Sequence, residues 1–182
     1  MNWKPIAYLG FALLILAHLL LLYAGNFLAG LSFDLAHWLL LMGGLFASAF
    51  LFIFPKGIIS TIASMLTILG LVAIIGMAGM DMLLFSFGDN FEERDALLSH
   101  MRNSPSIWLP FFTIGPAFFY AGLATFSWNY IRSKPLFAIL TIIGSLGMGF
   151  GQMISGNAAF ILGGLILMGI GLVGMTRGKY EV

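Results

Sequence analysis

The chain has 182 residues, 60% of them hydrophobic and only 8% charged, with a mean hydropathy of +1.04. Soluble domains carry about 25% charged residues, so this composition excludes a solvated globular surface and leaves lipid as the solvent. A net charge of +1 offers no nucleic-acid footprint, and the lack of cysteine excludes disulfides, iron–sulfur clusters, thiolate zinc sites and cysteine nucleophiles.

A helix needs about 20 apolar residues to cross roughly 30 Å of hydrocarbon. Six segments meet that requirement, so the expected fold is an all-α integral membrane protein. It is a compact bundle of six transmembrane helices forming one domain over residues 1–182. The first helix covers 6–24. Leu22 stands where a signal peptidase would need a small residue, so this run reads as a helix of the mature protein. Gly25-Asn26 and Gly30 separate it from the second, 35–54, which ends at Pro55-Lys56-Gly57. The third covers 58–80 and can run on through Met82-Leu83-Leu84-Phe85 to 87, making it the longest and tilted.

Residues 88–106 hold four of the seven acids. Asn90 followed by Glu93 is a capping-box pattern and Pro105 a stop, which predicts a short surface helix at about 91–102. Phe91, Leu98 and Met101 would rest on the membrane or bundle, with the charges turned to water. The fourth helix covers 107–130, with a kink expected at Pro110 and Gly115-Pro116. Ser133-Lys134-Pro135 leads to the fifth, 136–154, and Ser155-Gly156-Asn157 to the sixth, 158–176.

With the N-terminus inside, Lys4, Lys56, Arg132, Lys134, Arg177 and Lys179 are cytoplasmic and only Arg94 and Arg102 lie outside. The positive-inside rule therefore puts both termini in the cytoplasm and residues 91–102 on the outer face. The expected location is the cytoplasmic (inner) membrane of a bacterium. Small residues supply packing surfaces: Gly147 and Gly151, Ala159 and Gly163, and Gly43 and Ala47 are spaced for close helix contact, within the bundle in preference to a homodimer seam. Thr67-Ile68-Leu69-Gly70 is echoed by Thr141-Ile142-Ile143-Gly144, a match that chance explains in so hydrophobic a sequence.

Ionisable side chains at membrane depth cost roughly 2.5 kcal/mol or more, so each is a candidate functional group. Four stand out, all near the outer face: His18 on the first helix, Asp34 opening the second, His37 one turn further in, and Asp81 on the third. Gln152 joins from the fifth helix, and His100, with Glu93 on its face of the surface helix, could fold over the group. Together, His18, Asp34, His37 and Asp81 make a two-histidine, two-carboxylate set suited to zinc or another divalent metal. Alternatively, His18 and His37 face each other across a b-type haem, or the cluster binds an organic ligand such as a quinone or lipid. The structural alternative is that each group bonds neighbouring backbone or hydroxyl groups. The inner half offers only hydroxyls and one amide (Ser48, Ser60, Ser64, Thr67, Thr141, Asn129), which argues against an ion path through a single subunit.

Ser155-Gly156-Asn157-Ala158-Ala159 resembles the serine motif of rhomboid proteases over about ten residues. No histidine follows it, so Ser155 reads as a helix cap. Three functions remain: a non-catalytic subunit or scaffold meeting other membrane proteins or its own copies, a ligand-binding or redox protein using the outer cluster, and a transporter or channel formed on oligomerisation. No reaction is specified by the residues.

Overall fold

A computed structural model describes residues 2–27, 29–154 and 158–177, and the side chains of 2–22, 33–149 and 159–177. Among these residues the only regular structure is helical: α1 (Lys4–Phe27), α2 (Ala29–Ala47, wound on as a 3-10 stretch over Ser48–Phe52), α3 (Ile58–Ser86), α4 (Phe91–Arg102), α5 (Pro105–Tyr130), α6 (Pro135–Ile154) and α7 (Ala158–Thr176). Five of these, α1, α2 with its extension, α3, α5 and α7, are long and apolar enough to cross a membrane, and α6 adds a shorter apolar stretch, Pro135–Gly149. By helix hydropathy the chain is a multi-pass integral membrane protein.

Most boundaries follow from local chemistry. The α4 helix has the expected limits because the Asn90 side chain accepts from the Glu93 backbone N–H at 3.4 Å, and Pro105 opens the next helix. Gly88 takes φ +55° in the turn before it, a left-handed conformation that favours glycine. Where the kink was expected, α5 changes its winding. Leu109–Thr113 form a π-turn in which Ile114 N–H donates to the Leu109 carbonyl at 2.9 Å, because Pro110 and Pro116 cannot supply ordinary helical donors. The chain folds so closely there that a Cβ on Gly115 would overlap the Pro110 carbonyl oxygen.

The second helix is the main correction. It begins at Ala29, six residues before the expected start, so Asp34 lies in its second turn and does not open it. Gly30 in the first turn costs a helix little, which is why a glycine there did not mark a loop. The α-helix also stops at Ala47 and tightens to 3-10 before Pro55, whose ring disfavours α geometry in the residue ahead of it.

Six helices close into a ring in the order α1, α2, α3, α5, α6, α7 and back to α1. It is built from three hairpins, α1/α2, α3/α5 and α6/α7, each packed far more densely than the α2–α3 and α7–α1 seams between them. Glycine makes this density, since small residues let helix backbones approach. A Cβ on Gly10, Gly70 or Gly144 would overlap the backbone nitrogen of Ala47, Phe119 or Met168 respectively, one case in each hairpin. Four residues before those partners stand Gly43, Gly115 and Gly164, each again pressed against the opposing helix. Thr67 lies against Gly122 just as Thr141 lies against Gly171. The two Thr-Ile-x-Gly stretches therefore occupy one register in one packing unit, and their echo is structural, not chance.

Of the expected packing pairs, Gly43 and Ala47 lie in the α1/α2 contact and Gly147 lies against Gly164. Gly151 falls outside the described side chains. Ala159 is exposed and a Cβ on Gly163 would meet open space, so this pair faces away from the hairpin contact, which Gly164 makes instead.

The end of the ring carrying Lys4, Lys56, Arg132, Lys134 and Arg177 is filled by rings. Phe54 stacks on Phe126 at 4.8 Å and meets Tyr130 edge-on at 5.6 Å and Phe50 at 5.8 Å. Several polar side chains there are bonded within the protein. The Tyr8 hydroxyl lies 2.8 Å from Thr176 Oγ1, Asn129 Nδ2 donates to Ser60 Oγ at 3.0 Å, and Lys134 Nζ donates to the carbonyls of Gly174, Met175 and Arg177 at the end of α7.

Candidate functional site

Between that aromatic plug and the α4 end lies a cavity of about 310 Å³. Every helix of the ring contributes to its wall: His18 from α1, Leu40 from α2, Met77 from α3, Tyr120 from α5, Met148 from α6 and Ile161 from α7. Most of these positions carry aliphatic or thioether side chains, so the interior is apolar with two polar groups.

His18 owes its orientation to its own helix. Its Nδ1 lies 2.8 Å from the Leu14 carbonyl. A carbonyl only accepts, so Nδ1 carries the proton, and Nε2 of the neutral ring is left as an acceptor. Among the described residues nothing bonds to Nε2 or to the Tyr120 hydroxyl, although Tyr120 is only 6% exposed. Two polar atoms on one otherwise apolar cavity wall are an arrangement that suits a ligand site.

His37 and Asp81 form a different unit, one helical turn nearer the α4 end than Leu40 and Met77. His37 is buried, its Nδ1–H donates to the Phe33 carbonyl at 2.8 Å, and its Nε2 lies 3.4 Å from Asp81 Oδ2. The Phe33 ring packs over the imidazole at 4.1 Å and stacks on Phe85 of α3 at 4.3 Å. These contacts pin the α2–α3 seam at this end.

The four-residue cluster therefore divides. His37 and Asp81 come together, whereas Asp34 is exposed and His18 belongs to the cavity. No three His, Asp or Glu side chains among the described residues converge as metal ligands. As for the haem arrangement, His18 and His37 stand in separate groups, and both His37 nitrogens face protein acceptors. His100 and Glu93 are exposed on α4, and Gln152 lies outside the described side chains. On α4, Met101 is buried as expected while Phe91 is exposed beneath the Arg94 guanidinium, 4.7 Å from its ring centre.

No protein-family model matches the chain, and no curated protein or solved structure matches it at a significant level. The residue that sequence reasoning missed is Tyr120. A signal for it existed: it is the only tyrosine of the five far from the expected membrane interfaces. A larger groove, about 540 Å³, runs between α1 and α7 towards Arg177, but it opens on the outside of the ring, and its Tyr8 hydroxyl is already bonded to Thr176. The smaller cavity is the better site because all six ring helices line it and its two polar atoms bond to nothing among the described residues.

Proposed function

We propose that this protein is a membrane receptor or carrier for a small, mostly apolar molecule bearing a hydroxyl or carbonyl group, of the quinone or lipid kind. All six ring helices span the bilayer in this reading. Lys4, Lys56, Arg132, Lys134 and Arg177 mark the cytoplasmic side of a bacterial inner membrane, and α4 lies on the outer face. The observation that supports the reading is the cavity lined by every ring helix, with His18 Nε2 and the Tyr120 hydroxyl bonded to nothing among the described residues. A hydroxyl on the ligand would donate to Nε2, and a ligand carbonyl would accept from Tyr120. The rest of the wall selects by shape and apolarity.

The test is native mass spectrometry of protein purified in mild detergent. The wild type should retain a small molecule that His18→Ala loses and Tyr120→Phe holds more weakly. A wild type with no adduct, or an adduct indifferent to both substitutions, would refute the assignment.

A second reading, a non-catalytic subunit of a larger membrane complex, draws on Ala159 and Gly163, a small-residue pair facing away from the hairpin contact on α7. It predicts that a partner protein co-purifies and is lost on Gly163→Leu. Retention of the same partner by that variant would remove the support.

A further inference from the structure

We infer that His37 and Asp81 form a proton-binding latch across the α2–α3 seam, and that its proton occupancy governs entry to the cavity from the α4 end. The inference rests on the cavity reading above and adds its regulation. Three observations carry it. The α2–α3 seam is one of two sparsely packed joints in the ring. The polar contact across it at this end is the His37–Asp81 pair, 3.4 Å long, with the Phe33–Phe85 stack beside it. The pair stands one turn, about 5 Å, beyond the cavity wall residues Leu40 and Met77.

The chemistry of the pair follows from its partners. His37 Nδ1 must keep its hydrogen, because the Phe33 carbonyl can only accept. Holding Nε2 to Asp81 then needs one proton between nitrogen and carboxylate, as imidazolium with carboxylate or as neutral ring with carboxylic acid. Remove that proton and two lone pairs face each other. Add a second, and the imidazolium faces a neutral acid, whose carbonyl oxygen can still accept but without the charge attraction. The latch is closed with one shared proton and loosened on either side of that state. His37 is enclosed while the Asp81 side chain is 32% exposed, so the carboxylate is the route by which protons reach the pair.

Few other groups bear on this titration. Asp34, on α2 itself, is exposed, and His18 of α1 lies in the cavity wall one turn away. α5 brings only Tyr120 to this half of the ring, and among the described residues no charge of α4 lies within ion-pair distance of either partner.

The chain has no cysteine, so single thiols report cleanly. Met77→Cys places one in the cavity wall, and Ser99→Cys on exposed α4 corrects for the pH dependence of thiol reactivity. A membrane-impermeant thiol reagent is applied from the α4 side across the pH range. Corrected labelling of the Met77→Cys variant should pass through a minimum and rise about tenfold on either side, since a hydrogen bond to a charged group contributes about that factor or more. Adding Asp81→Leu should make labelling rapid at every pH. Adding Asp81→Asn, whose amide can donate to the neutral ring, should keep it slow and abolish the alkaline rise. Ile161→Cys repeats the measurement if Met77→Cys disturbs folding. A flat profile with the native pair, or an Asp81→Asn profile identical to it, would overturn the latch. Labelling needs no bound ligand, so pH-gated labelling of the cavity thiol in protein that retains no small molecule would uphold the latch while refuting the receptor reading, and the converse result would do the reverse.

Discussion

The two ends of the helix ring are made of the same six helices and differ in what they do with polar groups. At the lysine- and arginine-bearing end, four aromatic rings fill the axis, and Tyr8, Ser60, Asn129 and Lys134 are bonded within the protein. At the α4 end lies the cavity, and among the described residues nothing bonds to the His18 Nε2 or the Tyr120 hydroxyl that line it. The ring stack and its bonded neighbours gather at one end and the cavity lies at the other, an arrangement in which a site would be held in shape by a support that takes no part in binding.

Substitutions at the two ends should separate these roles. The largest loss is expected from Phe54→Ala, which removes the ring shared by the Phe126, Tyr130 and Phe50 contacts. Unfolding in detergent should show a drop of about 3 kcal/mol with little change in ligand retention. Gly70→Ala comes next. Its new methyl would meet the Phe119 backbone, forcing the α3/α5 hairpin apart at about 2 kcal/mol, read as a lower Tm. Lys134→Gln should cost about 1 kcal/mol by removing the cation from the carbonyls ending α7, again without touching the cavity. His18→Ala reverses the pattern: its stability should stay within about 1 kcal/mol of wild type, because among the described residues the imidazole bonds only a carbonyl of its own helix, while ligand retention is lost. If His18→Ala destabilised as much as Phe54→Ala, the distinction between the two ends would fail.

Much of the fold was legible in the sequence because membrane helices obey strong local rules. Hydrophobic length located the six ring helices, five of them long and apolar enough to cross a membrane, Asn90 with Glu93 and Pro105 located α4, and the prolines located the change of winding in α5. Gly30 misled because a glycine in a first helical turn looks like a glycine in a loop. The repeat of the hairpins was half visible in Thr67–Gly70 and Thr141–Gly144, but its proof lies in partners more than twenty residues away, Gly122 and Gly171 among them. The site was less legible for the same reason. The sequence singled out His18, His37 and Asp81, yet helix rotation decides which of them meet, and no local pattern reports rotation. Asp34 and His37 are three residues apart, but one is exposed and the other buried. The cavity itself is made mainly of ordinary aliphatic residues spread over six helices, a pattern invisible until the ring closes.

The central claim is that the hollow at the α4 end holds a ligand. The most direct test is a crystal structure from a lipidic mesophase of protein purified without exhaustive delipidation. The account predicts non-protein density in the cavity within hydrogen-bonding distance of His18 Nε2 or the Tyr120 hydroxyl. A cavity collapsed onto its own side chains, with Nε2 bonded to the protein, would contradict it.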